Sequence, residues 1–329
     1  VALPVFLLPW FAAGGAALYV LVRSAGVAVD RTVSLARHYD VPDALVAGVV
    51  VAVGTSLPEI AAHVIASLGI LSGTLDYRVA SATVLGGNMG SSTVQQTLLV
   101  GLFLVGVGRY EFTKTFVRWS YVPMVLASVL TLLLAWDGTV SRLDGLLLLG
   151  GYLVYLYYAI DRQRRREHLP VPESLDVGRD AVISLLALAA VVASAYVVLT
   201  AAQAAVDALA LGGSIVGVVT IGVAAALPEL STVLESVRRD APHVAMGTLV
   251  GSNVVNLLVG IGLGGTISTY AVPPAVVFWD LPFRVAVGAG VLVYALGPGH
   301  DALHRRNGYY LVALYFVFLG VHLLVFPGL

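Results

Sequence analysis

With 329 residues, 59% of them hydrophobic and only 11% charged, the chain cannot cover an aqueous surface, which takes about a quarter charged residues; most of it faces lipid. The net charge of −1, with 18 Lys and Arg scattered among the loops, leaves no basic face for nucleic acid. The absence of cysteine excludes disulfides, thiolate metal sites and a cysteine nucleophile.

A bilayer core about 30 Å thick takes roughly 20 apolar residues per helix. On that basis the sequence predicts an all-α polytopic membrane protein with ten spans, at 4–28, 43–69, 79–107, 115–136, 141–161, 180–206, 212–236, 243–268, 280–297 and 308–327. The opening VALPVFLLPWFAAGGAALYV has no basic flank and reads as the first span, not a cleaved signal. DRQRRREHLPVPESLDVGRD is the longest polar stretch. It divides the chain into a first five-helix repeat (1–161), a linker (162–179) and a second repeat (180–329). If the N-terminus is outside, fourteen basic residues fall on the cytoplasmic side and three (Arg78, Arg142 and Arg284) outside, with Arg23 within the first span. That asymmetry places both termini outside and the linker in the cytoplasm of a plasma-membrane protein. With five helices per half, the second half enters from the opposite side, so the repeats are inverted.

The second span contains ALVAGVVVAVGTSLPEI from Ala44 and the seventh SIVGVVTIGVAAALPEL from Ser214. They align without a gap at an offset of 170, Pro58 on Pro228 and Glu59 on Glu229. Further on, GGNMGSSTVQ matches GTLVGSNVVN at an offset of 161, placing Gly90 on Gly251, Ser91 on Ser252 and Gln95 on Asn256. The nine extra residues of the first half fall near SLGILSGTLDY, read as a loop. Proline-interrupted segments at corresponding positions of inverted halves point to a transporter's central site.

Proline has no N–H, so Pro58 deprives the carbonyl of Gly54, and Pro228 that of Ala224, of its helical partner. In lipid a freed carbonyl costs several kcal/mol unless it is satisfied. An intramembrane glutamate is also costly unless paired or protonated. Two glutamates among freed carbonyls make an all-oxygen cage of the kind a hard cation such as Ca²⁺ prefers. Ser91 and Gln95 share one helical face, matched by Ser252 and Asn256, and add neutral oxygens. Gly86, Gly87, Gly90, Gly247 and Gly251 let these helices approach the glutamate-bearing ones. Taken singly, a proline is ordinarily a kink and a glycine face ordinarily packing. Their recurrence together, in order, in both halves favours an ion site.

GTSLPE followed by a GSN helix, repeated in inverted halves, resembles the calcium/cation antiporter superfamily, with the prokaryotic sodium/calcium exchangers as the nearest branch. The resemblance covers nearly the whole chain. It implies an antiporter, not an enzyme, exchanging Ca²⁺ for Na⁺ or H⁺ across the bilayer without a resident cofactor. It also implies that Glu59 and Glu229 bind the ions, with backbone carbonyls of Thr55 and Ala225 and hydroxyls of Thr55, Ser56, Ser91 and Ser252. The implied ligand set also takes in Gln95, Asn256, Ala52 and Gly222. Alternating access is implied to come from the first and sixth spans sliding across the rest.

Two departures stand out. AAALPE replaces the usual GTSLPE in the second half, so Ala225 and Ala226 lack hydroxyls. Asn256 stands where several sodium/calcium exchangers carry an aspartate, and SSTVQ resembles the glutamine-bearing helices of calcium/proton exchangers. Two carboxylates balance one Ca²⁺, two Na⁺ or two H⁺, and a third Na⁺ would leave costly net charge in a low-dielectric site. Sodium is the expected counter-ion and protons the alternative; Mg²⁺ or Mn²⁺ exchange and a passive divalent-cation channel are further readings. His63, one turn beyond Glu59, is either a satisfied core histidine or a pH-responsive partner. A serine hydrolase using His63 with Ser91 or Ser92 lacks a GxSxG elbow. Trp10, Trp119, Trp136 and Trp279 read as interface anchors.

Overall fold

The computed structural model describes residues 8–38, 52–163, 177–209, 217–238, 242–297 and 302–326. The start of the second span (43–51), the centre of the linker (164–176) and the start of the seventh span (212–216) lie outside the described residues.

A helical segment falls on each predicted span. In chain order these are α1 (Leu8–His38), α2a (Ala52–Thr55) with α2b (Leu57–Ser72), α3 (Tyr77–Val107), α4 (Lys114–Leu134) and α5 (Arg142–Gln163). The second half contains α6 (Val177–Leu209), α7a (217–225) with α7b (Leu227–Arg238), α8 (242–268), α9 (Val276–Leu296) and α10 (Arg305–Val325). Among the described residues, six continuous helices are long and apolar enough by themselves to cross a membrane, on α3, α4, α6, α8, α9 and α10. Length and composition therefore establish fewer crossings than the ten expected. The interrupted α2 and α7 contribute to the difference, because their breaks shorten each continuous helix.

Reciprocal contacts relate the two halves. α3 packs on α7a as α8 packs on α2a, α8 packs on α5 as α3 packs on α10, and α1 lies along α6. Two short antiparallel sheets obey the same exchange. β1 (Arg109–Glu111) pairs with β4 (Ala302–His304), and β2 (Thr139–Val140) with β3 (Tyr270–Ala271). A ten-crossing path places the first pair on one membrane face and the second on the other. Arg31 pairs with Asp180 at 2.7 Å, joining the C-terminal end of α1 to the start of α6.

α3 and α8 are the buried centre, whereas α4, α5, α6, α9 and α10 present Leu133, Leu153, Leu186, Val293, Phe316 and Leu324 outward, an apolar exterior suited to lipid. Each half also carries matched π-helical turns. Those at Val117–Tyr121 and Val276–Asp280 immediately precede Pro123 and Pro282, whose missing N–H loosens the preceding turn. Those at Val94–Leu99 and Asn256–Ile261 carry Gln95 and Asn256.

Several expectations change. SLGILSGTLDY is mostly helix: α2b continues to Ser72 and stops at Gly73, left-handed at φ 72°. Arg284, counted as an outer-loop charge, is buried within α9. Trp279 is turned inward, donating to the Phe318 carbonyl at 3.1 Å, while the neighbouring Phe278 is exposed.

Glycine allows α3 and α7a to cross at backbone contact. A Cβ on Gly90 would lie 2.6 Å from the Val218 carbonyl oxygen, and one on Gly222 2.7 Å from the Ser91 nitrogen. Gly247, expected to play a matching part in α8, has open space instead. Gly90→Ala is therefore expected to cost about 1–3 kcal/mol through overpacking and to lower the thermal unfolding midpoint in detergent. Gly247→Ala, measured alongside, should leave that midpoint essentially unchanged.

Candidate functional site

Both proline-glutamate segments start a new helix inside the fold. Helix α2 breaks at Ser56 and resumes at Leu57, with Pro58 and Glu59 in the first turn; α7 breaks at Ala226, with Glu229 in the first turn of α7b. The breaks have the same bonding. Ser56 N–H donates to Ala52 and Ile60 N–H to Ser56, while Ala226 N–H donates to Gly222 and Leu230 N–H to Ala226. Proline is tolerated there because the first helical N–H groups have no partner in any case. The same orphan donors and the positive end of the helix dipole favour a carboxylate. Each glutamate's own backbone N–H faces its carboxylate. Proline thus does more than free a carbonyl: it sets a helix N-terminus under each glutamate.

Glu59 and Glu229 are buried and close enough for their charges to interact. Ser91 donates to Glu59 Oε1 at 2.5 Å, and Asn256 Nδ2 approaches the same oxygen at 3.4 Å. The Thr55 and Ser252 hydroxyls, 2.9 Å apart, lie beside Glu229. Among the described residues, Glu59 Oε2 and both oxygens of Glu229 have no hydrogen-bond partner, and neither do Ser56 Oγ and Asn256 Oδ1. A cavity of about 20 Å³, room for roughly one water, is lined by Pro58, Glu59 and Ala225 and by Leu18 and Val198 of α1 and α6. Among the described residues no cluster of three or more His, Cys, Asp or Glu occurs, so the centre consists of two carboxylates among neutral groups.

The structure thus brings together Glu59, Glu229, Thr55, Ser91, Ser252, Asn256 and Ala225. Ser56 sits at the α2 break with its hydroxyl unpartnered. The Ala52 and Gly222 carbonyls accept the Ser56 and Ala226 N–H groups, and Ala52 also accepts from the Thr55 hydroxyl at 3.3 Å. Gln95 stands differently from the expectation. Its oxygen accepts from Asn253 at 3.1 Å and its amide nitrogen donates to Ser91 at 3.2 Å, so it orients Ser91 and presents no free oxygen to Glu59.

Sequence reasoning did not single out Asn88, Asn253 or Arg284. The asparagines were within the quoted GGNMG and GSN motifs, but their partners are remote in sequence. Asn88 Nδ2 donates to the Asn256 carbonyl at 2.7 Å, so it must also be the donor to His63 Nε2 at 3.0 Å. His63 Nδ1 then carries the proton and faces Tyr270 Oη at 3.1 Å, while Tyr270 donates to the His63 carbonyl. This holds the ring in one neutral tautomer, and the sharper reading of His63 as a pH-responsive partner loses its geometric basis. The hydrolase pairing fails too, because His63 is committed to Asn88 and Tyr270, and Ser92 bonds Asn256 at 3.4 Å.

A helical membrane protein with two broken helices facing each other across a buried dicarboxylate centre belongs to the class of secondary transporters built from repeated halves. The chain belongs to the sodium/calcium exchanger protein family, whose model matches residues 9–160 and 180–324. It is 26% identical over 290 residues to the inner membrane protein YrbG of Escherichia coli K12, covering 85% of each chain. It is 22% identical to the sodium/calcium exchanger MaX1 of Methanosarcina acetivorans, covering 92% of this chain and 95% of that one. Among solved structures, the sodium-calcium exchanger NCX_Mj matches with a TM-score of 0.65 at 20% identity, over 96% of this chain and 98% of that one. The H⁺/Ca²⁺ exchanger CAX matches with a TM-score of 0.78 at 16% identity, over 97% and 82%. At these identities the structural matches establish the fold.

His63→Gln is expected to leave the pH profile of transport unchanged. It should lower thermal stability by about 1–3 kcal/mol, because Asn88 and Tyr270 lose a buried partner. Stopped-flow transport across a pH series and a melting curve separate the two effects.

Proposed function

We propose that this protein is a secondary-active antiporter exchanging Ca²⁺ for a monovalent cation, Na⁺ by preference, at Glu59 and Glu229. The observation that carries the reading is that five of the buried side-chain oxygens with no hydrogen-bond partner among the described residues belong to this centre: Glu59 Oε2, Glu229 Oε1 and Oε2, Ser56 Oγ and Asn256 Oδ1. Oxygen-only coordination with six to eight ligands is the preference of Ca²⁺. Carbonyls of Thr55 and Ala225 at the helix breaks would supply the remainder. Mg²⁺ demands tighter octahedral geometry and sheds water reluctantly, which makes it and Mn²⁺ secondary substrates. The names of MaX1, NCX_Mj and CAX support Ca²⁺ as the divalent ion, and they differ over the counter-ion.

Two carboxylates set the charge balance. One Ca²⁺, two Na⁺ or two H⁺ neutralises them, whereas three Na⁺ would leave a buried net charge costing several kcal/mol. Exchange is therefore electroneutral. Protons are the second reading, favoured by Ala225 and Ala226, which withhold two hydroxyl ligands from Na⁺. The small cavity at Glu59 reaches α1 and α6, the helices whose sliding would open the centre to either face. We place both termini outside the plasma membrane, the 162–179 linker in the cytoplasm, and the repeats at 1–161 and 180–329.

The test is ⁴⁵Ca²⁺ uptake into proteoliposomes loaded with Na⁺, with acid or with neither. Uptake should require a loaded counter-ion, Na⁺ first, and should leave the membrane potential unchanged when read with a voltage-sensitive dye. Glu59→Gln and Glu229→Gln should each abolish it. Equal uptake into unloaded vesicles would identify a channel, and charge movement at three Na⁺ per Ca²⁺ would refute the two-carboxylate balance.

A further inference from the structure

Arg284 is a charged side chain at the centre of the fold that the ion-site reading does not use. It is 1% exposed, in the second turn of α9. Its Nη2 donates to Asn253 Oδ1 at 2.9 Å, and its Nη1 lies 3.8 Å from Met89 Sδ. Its backbone carbonyl accepts from Gln96 at 3.1 Å, tying α9 to α3. Asp280, one turn earlier, offsets its charge and is itself paired with His322 at 2.8 Å.

A guanidinium donates only, and this fixes everything downstream. The Asn253 atom facing Arg284 must be its oxygen, so its nitrogen is the donor to Gln95 Oε1 at 3.1 Å and to the Leu249 carbonyl at 2.8 Å. Gln95, having accepted with its oxygen, must donate to Ser91 with its nitrogen at 3.2 Å. Ser91 then has its proton free for Glu59 Oε1, the 2.5 Å bond. Four bonds run in one direction from a permanent cation to the carboxylate, and every amide orientation along them is forced.

We propose that Arg284 is a positioning residue for ion binding. Through Asn253, Gln95 and Ser91 it holds Glu59 with one oxygen anchored and the other free. It also keeps the Gln95 oxygen turned away from the ion. The proposal rests on the reading of Glu59 as an ion ligand. Without the relay, Gln95 is free to flip and Ser91 to withdraw its proton, so Glu59 loses its orientation.

Asn253→Asp isolates the relay. Aspartate still accepts from Arg284, so the buried charge keeps its partner, but it cannot donate to Gln95. The experiment is the Ca²⁺ dependence of ⁴⁵Ca²⁺ uptake in proteoliposomes for wild type, Asn253→Asp, Arg284→Gln and Glu59→Gln, each with a melting curve. Asn253→Asp is expected to melt with the wild type, keep its maximal rate within about twofold and raise the half-saturating Ca²⁺ at least about fivefold. Arg284→Gln should raise it comparably if it folds. A folded Asn253→Asp with half-saturation within about twofold of wild type, or one that changes only the maximal rate, overturns the proposal. If Asn253→Asp does not fold, Arg284→Gln decides by the same criterion. Glu59→Gln keeps the two ideas apart: normal transport by that variant defeats the ion-site reading, whereas its inactivity beside a normal Asn253→Asp defeats the relay alone.

Discussion

Two glutamates are buried at the centre of this fold, and among the described residues three of their four carboxylate oxygens lack a protein hydrogen bond. An ion held that way in a low-dielectric interior costs several kcal/mol, so the surrounding architecture must either offset its charge or supply a cation. The structure offsets part of it. Each glutamate occupies the first turn of a helix restarted by a proline, where orphan N–H groups and the helix dipole favour negative charge. That device requires a helix to break inside the membrane, and a break is tolerable only where neighbouring helices shield it from lipid. The buried α3 and α8 provide the shielding, and glycines bring α3 against α7a at backbone distance. The broken helices, the glycine crossing and the central position of α3 and α8 all serve to place two carboxylates at the buried centre of the fold.

The halves match in outline and differ at the ligands. Ser91 serves Glu59 as Ser252 lies beside Glu229, and the two breaks repeat the same backbone bonds. Thr55 also lies beside Glu229, but its counterpart Ala225 offers no hydroxyl to Glu59. The small cavity lined by both Glu59 and Ala225 lies on that poorer side. Glu59 instead receives the directed chain of donors that begins at Arg284, together with the approach of Asn256. The second carboxylate has no equivalent chain among the described residues; the Thr55 and Ser252 hydroxyls lie beside it. The asymmetry leaves one glutamate oriented by a chain of protein donors and the other without such a chain among the described residues.

Much of the site was legible in the sequence because its signals are local. LPE places a proline and a carboxylate in one helical turn, and that turn occurs twice. Ser91 and Gln95 are one turn apart on one helix, as are Ser252 and Asn256. Gln95 and Arg284 show the limit. A glutamine has both an oxygen and a nitrogen to offer, and only its neighbours decide which one faces Ser91. Here the decision comes from Asn253, 158 residues away, and ultimately from Arg284. An arginine near the end of an apolar run reads from sequence as a loop charge, because nothing adjacent reveals the asparagine, 31 residues away on another helix, that accepts its hydrogen bond.

The sequence by itself determined the lipid-facing composition, the repeated proline-glutamate segments, the two-carboxylate count and the family resemblance, since each depends on residue type and short spacing. Only the tertiary structure decided that each proline starts a helix beneath its glutamate, that His63 is locked in one tautomer and that Gln95 turns its oxygen aside. It also decided that strands of opposite halves pair with each other. Apart from the proline-started helices, these depend on groups from different helices or halves coming within hydrogen-bond reach, and hydrogen bonding is directional over about 3 Å. Periodicity along a chain carries no information about that distance.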